Sequence, residues 1–166
     1  MRIEWMEKYL SEAERLIYNN QVEDGLSLLT ELLYDEPGYG SLHNHLGWAY
    51  MYYTADVGKA ERHLKLAIRF DSTFAAPYLH LGNLYIRVGR YAEALSTLTT
   101  GLTKENANKI AFLQSIAQVY ELKRDFTLAI KTYKEALASS VGFETANFTE
   151  SIKRCRKKRW VLMFNL

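Results

Sequence analysis

Five positions recur four times along this chain at a spacing of 34 or 35 residues, and no single feature constrains its fold more. A small residue appears as Ala13, Gly47, Gly82 and Ala117, at steps of 34, 35 and 35. Three residues after each stands a bulky one: Leu16, Tyr50, Tyr85 and Tyr120. A second small residue follows as Gly25, Ala60, Ala94 and Ala129, at steps of 35, 34 and 35. Four residues later come Leu29, Leu64, Leu98 and Tyr133, and three further on Leu32, Ala67, Gly101 and Ala136. Self-similarity at this period marks a supersecondary unit that cannot bury its apolar face alone and does so by stacking on its neighbours.

The third copy shows what the unit is. In residues 75–108, Leu81, Gly82 and Tyr85 share one face of a first helix. Tyr91, Ala94, Leu95, Leu98 and Gly101 keep helical spacing in a second. Between them Val88-Gly89-Arg90 is a tight turn, with glycine at the position that needs a positive φ. Gly82 and Ala94 are small where two helices must approach closely. Tyr85 and Leu98 fill the space beside them.

These residues resemble the tetratricopeptide repeat, a helix-turn-helix of about 34 residues. Leu81-Gly82, Tyr85, Ala94 and Leu98 match its signature, and Pro37 matches the proline that often closes a copy. Tyr9, His43, Tyr78 and Leu113 stand where the family places an early tryptophan. Copies one and four depart most, with Glu12 where a leucine is usual. The resemblance implies an all-α, right-handed α-α superhelix of helix-turn-helix repeats with a C-terminal capping helix. Four repeats are expected over residues 1–142 (about 6–38, 40–74, 75–108 and 110–142), followed by a capping helix and apolar tail over 143–166.

Composition agrees with a soluble protein long enough for one such array. Apolar residues make up 48% and charged residues 24%, with a formal net charge of only +2. That charge is too small to imply a polyanionic partner for the chain as a whole. The single cysteine, Cys155, excludes an internal disulfide framework and suits a reducing compartment. Acids interrupt the first residues where a signal peptide needs an apolar core. No run approaches a membrane span. The expected location is cytoplasmic.

Helix limits follow from the local punctuation. The first helix is predicted from about Ile3 to Asn19, with Trp5 closing the core from outside. The second is predicted near Val22 to Tyr34, with Leu26, Leu29, Leu32 and Leu33 inward. Pro37-Gly38-Tyr39-Gly40 breaks the chain. Copy two carries one extra residue, placed in its turn at residues 54–58. Copy four starts near Lys109 and turns at Lys123-Arg124-Asp125. Residues 139–142 read as a loop, and the last helix is predicted to begin around Asn147 or Thr149, where a fifth copy's first helix would lie.

In stacked helical hairpins the first helices line a concave surface. The resemblance implies which offsets face it: Leu10, Glu14, Ile17 and Tyr18; Asn44, Trp48, Met51 and Tyr52; Leu79, Asn83, Ile86 and Arg87; Gln114, Gln118, Glu121 and Leu122. Aromatics with arginine anchor protein interfaces, and amides hold an extended peptide backbone. Asn44, Asn83 and Arg87 resemble part of the carboxylate clamp of some family members. Leu10, Glu14 and Leu79 leave that clamp incomplete.

Two further features need weighing. Residues 153–159 hold six cations in seven positions, Lys153, Arg154, Arg156, Lys157, Lys158 and Arg159, followed by Trp160-Val161-Leu162-Met163-Phe164. This reads as a solvated cap whose Ile152, Cys155, Trp160 and Met163 touch copy four, or as a secondary interaction site for an anionic surface. Cys155 beside cations could have a lowered pKa. His43, His45, His63 and His80 do not converge by spacing on a metal site, and no phosphate loop, nucleophile elbow or zinc spacing occurs.

The function expected is a non-catalytic module holding a peptide segment or partner protein in the groove, without cofactor or metal. The first alternative is a self-assembling scaffold that pairs through the groove or the apolar tail. The second is anionic membrane or nucleic-acid binding through the basic helix, although neither is the expected partner.

Overall fold

The computed structural model describes residues 2–164, and among these every regular element is helical. In chain order they are α1 (Arg2–Tyr18), α2 (Val22–Asp35), α3 (Gly40–Ala49), a π-type turn (Tyr50–Thr54), α4 (Val57–Phe70), α5 (Ala76–Arg87), α6 (Tyr91–Leu102), α7 (Lys109–Leu122), α8 (Phe126–Ser139) and α9 (Phe143–Phe164). The chain divides into two compact units, residues 1–84 and 85–166.

The turn inside every hairpin is built the same way. Asn20, Ala55, Gly89 and Arg124 each take a left-handed backbone, at φ of 66, 59, 77 and 63°. They occupy one position of the repeat, yet glycine stands there only once. Two of the second helices are capped just after this residue: Asp56 accepts from the Lys59 N–H and Asp125 from the Leu128 N–H. An N-cap carboxylate satisfies one of the donors that a helix start leaves orphaned.

In the first unit α1 packs on α2 and α3, and α3 on α4. The core of the first hairpin gathers Met6, Leu10, Ala13 and Ile17 from α1, Leu29 and Leu32 from α2, and Leu42, Leu46 and Ala49 from α3. Leu26 and Leu33 pack at its edge, half-buried, and Trp5 lies outside with its ring 4.7 Å from Tyr9. Helices α3 and α4 touch at Gly47, where a Cβ would lie 2.5 Å from Leu64 Cγ. The repeat's first small position is therefore small for a steric reason.

The second unit has its core in α7, α8 and α9. Leu113 and Ala117, then Phe126, Ala129, Ile130, Tyr133 and Ala136, enclose Phe148, Ile152 and Cys155. These last three sit at i, i+4 and i+7 of α9, one helical stripe, so α9 covers the open face of the preceding hairpin.

Two details differ from the sequence expectation. The last helix begins at Phe143, ahead of Asn147. Gly142, at φ 74°, turns the chain sharply after α8, and the Thr145 N–H donates to the Gly142 carbonyl. The extra residue of copy two is absorbed inside the end of the first helix. Residues 50–54 widen into a π-type turn there, closed by the Thr54 hydroxyl donating to the Tyr50 carbonyl at 3.0 Å.

Candidate functional site

On the first unit, α1 and α3 present an aromatic surface. Tyr18 is 67% exposed, and its ring lies 5.5 Å from that of Trp48, which meets Tyr53 edge-on at 5.1 Å. Trp48 and Tyr53 are five residues apart. An α-helix would set Tyr52 beside Trp48, whereas a π turn brings the i+5 residue onto that face. The same widening turns Met51 inward, leaving it 2% exposed. Met51 is thus a packing residue here, and Tyr53, which the α-helical offsets passed over, takes its place on the surface. Tyr52 is half exposed and meets His80 edge-on at 6.3 Å.

Polar groups border these rings. The His45 Nε2 lies 3.9 Å from a Glu14 carboxylate oxygen. Burial raises the Tyr53 phenol's pKa, and Tyr18 and Glu14 add to the shift. Asn44, one turn before Trp48, is buried, and its Oδ1 has no hydrogen-bond partner. His80 Nδ1 is likewise buried without a partner; desolvation, with His45 nearby, lowers its pKa to about 4. Asn83 and Leu79 are half-buried, while Leu10 and Ile17, each 1% exposed, belong to the core rather than to any groove.

On the second unit Ile86 is 9% exposed, and Arg87 is open to solvent. Gln114 and Gln118 are exposed on α7 and, with Glu121, line a polar cleft of about 380 Å³ against Asn147, Ser151, Arg154 and Lys158 of α9. Glu121 anchors it. Arg154 Nε and Lys158 Nζ each lie 2.8 Å from its Oε1, and its side chain is only 9% exposed. Hydrogen bonding to Arg154, with Lys158 beside it, holds the Glu121 carboxyl down at about 2 against the cost of burial. Tyr133 donates to the same carboxylate, and burial pushes its phenol up to about 12.

The basic run therefore divides. Arg154 and Lys158 face Glu121, and Lys153 pairs with Glu150 at 2.8 Å. Cys155 is fully buried between them. Its thiol is raised to about 11, first by desolvation and then by Glu121, so the neighbouring cations do not activate it. Ile152 joins the core as expected, but Trp160 and Met163 remain 63% and 68% exposed and do not cover copy four.

Of the four histidines, His43 and His63 meet each other. His43 Nδ1 and His63 Nδ1 are 2.9 Å apart, and His43 Nε2 lies 3.0 Å from the Pro37 carbonyl. Among the described residues no group of three His, Cys, Asp or Glu side chains could hold a metal ion. No described helix is long and apolar enough to cross a membrane.

Family models for the tetratricopeptide repeat match residues 78–110 and, separately, 110–140. Over residues 78–140 this chain carries tetratricopeptide repeats. The matched segments are its third and fourth hairpins, from α5 to α8. Among solved tetratricopeptide-like folds, the Pseudomonas aeruginosa pilF structure superposes with a TM-score of 0.86 at 15% identity, over 95% of this chain and 70% of that one. The MamA structure gives 0.77 at 18% identity, over 92% and 81%. A chain of the Cut9–Hcn1 hetero-tetramer gives 0.77 at 23% identity, over 89% of this chain and 29% of that one. At such identities the likeness is one of fold. No curated protein sequence matches the chain significantly.

Proposed function

We propose that the chain is a non-catalytic binding module that holds an extended segment of another protein against the first-helix surface of its first unit. The observation that carries this reading is the run of rings Tyr18, Trp48 and Tyr53 on α1, α3 and the π-type turn, with Tyr18 and Tyr53 exposed and Trp48 half-buried, while Tyr52, half exposed on the same turn, faces His80. Large, rigid aromatic side chains give contact area at little entropic cost, which is why they anchor interfaces. The buried, unpartnered Asn44 Oδ1 one turn away supports the same reading, because a peptide N–H that reached it would satisfy it. The Glu14 carboxylate beside Tyr18 and His45 favours a segment carrying a basic residue. The second unit offers its own polar cleft, in which Gln114 and Gln118 present amides on α7.

A displayed peptide library selected on the whole protein tests the reading. Selected peptides should bind a Tyr18→Ala/Tyr52→Ala variant at least about tenfold more weakly, since an interface anchor is commonly worth more than 1–2 kcal/mol. Both residues are half exposed or more, so helix content should be unchanged. Equal binding by the two proteins would overturn the assignment.

A further inference from the structure

In sequence the six cations of residues 153–159 are equivalent, but in the fold they separate into two sets. Lys153, Arg154 and Lys158 are tied to Glu150 and Glu121. Arg156, Lys157 and Arg159 are exposed and meet no acid among the described residues. Helical geometry gives the second set a direction. At about 100° per residue, Arg154 and Lys158 point to the α7 side, where Glu121 lies. Trp160, Met163 and Phe164 share a sector turned away from it. They are 63%, 68% and 69% exposed, and the Trp160 and Phe164 rings lie 4.9 Å apart, tilted at 45°.

Each unpaired cation stands one turn behind one of these apolar side chains. Arg156 and Lys157 precede Trp160 by four and three residues, and Arg159 precedes Met163 by four. Three exposed apolar side chains on the last turns, backed by three uncompensated cations, is the arrangement an interfacial helix end uses. The apolar residues reach the acyl boundary, and the long basic side chains stay at the headgroups.

We propose that the outer side of the α9 C-terminal end docks on an anionic lipid surface, with Arg156, Lys157 and Arg159 at the headgroups and Trp160, Met163 and Phe164 in the acyl boundary. Charge complementarity decides this occupant. A second copy of the chain would bring three more uncompensated cations against these three. A nucleic acid would match the cations but leave Met163 and the half-exposed Val161 and Leu162 without a role. The docking uses neither the aromatic surface of the first unit nor the Glu121 tie that seats α9.

The experiment is co-sedimentation of the whole protein with vesicles of phosphatidylcholine alone and of phosphatidylcholine mixed with phosphatidylserine. Binding is expected to the mixed vesicles and not to the neutral ones, weakening as salt rises. Arg156→Gln/Lys157→Gln/Arg159→Gln should weaken it on the order of 100-fold, at about fivefold per cation near an anionic surface. Trp160→Ser/Phe164→Ser should weaken it at least about tenfold by removing buried apolar area. All five positions are exposed, so both variants should keep the wild-type helix content. Several outcomes would overturn the proposal: no sedimentation with anionic vesicles; binding untouched by Trp160→Ser/Phe164→Ser; binding to a single-stranded oligonucleotide in place of vesicles; or a dimer, seen by light scattering, that dissociates in the Trp160→Ser/Phe164→Ser variant while vesicles go unbound.

Discussion

His43 and His63 face each other across the second hairpin with their Nδ1 atoms 2.9 Å apart. The Pro37 carbonyl can only accept, so His43 carries its proton on Nε2 and its Nδ1 is left as the acceptor for an Nδ1–H of His63. Phe70 stacks on His43 and Tyr50 on His63, with centroids at 5.3 and 5.7 Å. The pair therefore sits in an aromatic slot between α3 and α4. Desolvation first, and then His43, Arg62 and Lys59, lower the His63 pKa from 6.5 to about 4.

This makes the stability of the first unit pH-dependent. With its folded pKa below its unfolded one, His63 takes up a proton on unfolding between pH 6.5 and about 4. Its contribution is complete above that window and declines as pH falls through it. After allowing for solvent screening of a half-buried group, the loss should be about 1–2 kcal/mol. Urea unfolding at neutral pH and near the bottom of the window should show a smaller decline for His63→Gln, whose amide can still donate to His43. An identical decline in both proteins would place the effect elsewhere, with His80 as the other lowered histidine.

The hairpin turns give a pair of opposite predictions at one repeat position. Ala55 and Gly89 both hold a left-handed backbone, at φ of 59 and 77°. A side chain there costs about 1 kcal/mol, and no atom lies within 4 Å of a Cβ built on Gly89. Gly89→Ala should therefore destabilise by roughly 0.5 kcal/mol, the backbone strain less the unfolded-state entropy that alanine removes, and Ala55→Gly should stabilise by a similar amount for the converse reason. Thermal melts should move in opposite directions by a few degrees. Shifts of the same sign would contradict the account.

Cys155 should be inert in the folded protein. It is fully buried, and its thiol is raised to about 11, so labelling by a thiol reagent near neutral pH has to wait for α9 to open. Glu121→Ala removes the carboxylate that holds Arg154 and Lys158, and labelling should quicken by about tenfold, equivalent to roughly 1.4 kcal/mol of lost docking. Immediate labelling of the wild type would show that α9 is not seated as described.

The hairpins were legible because packing imposes the period. Gly47 has to be small under Leu64, and Ala60, Leu64 and Ala67 of α4 are wholly buried. Such positions can be read without knowing what lies opposite them. The surface was less legible. The extra residue of copy two was visible as a count, but whether it lengthens a turn or widens a helix depends on what neighbouring side chains accept. That choice buried Met51 and exposed Tyr53. The His43–His63 contact joins two helices through side chains twenty residues apart, which spacing along one helix does not report. The cations of α9 looked alike until Glu121, contributed by α7, separated them.

The central claim is best tested by nuclear magnetic resonance, because the three tryptophans sit in three different places. Trp48 lies in the aromatic surface, Trp5 outside the first hairpin beside Tyr9, and Trp160 at the exposed end of α9. Titrating labelled protein with a library-selected peptide should shift the Trp48 indole resonance and leave those of Trp5 and Trp160 in place. A peptide that moves Trp160 or Trp5 while Trp48 stays fixed would contradict binding on the first-helix surface.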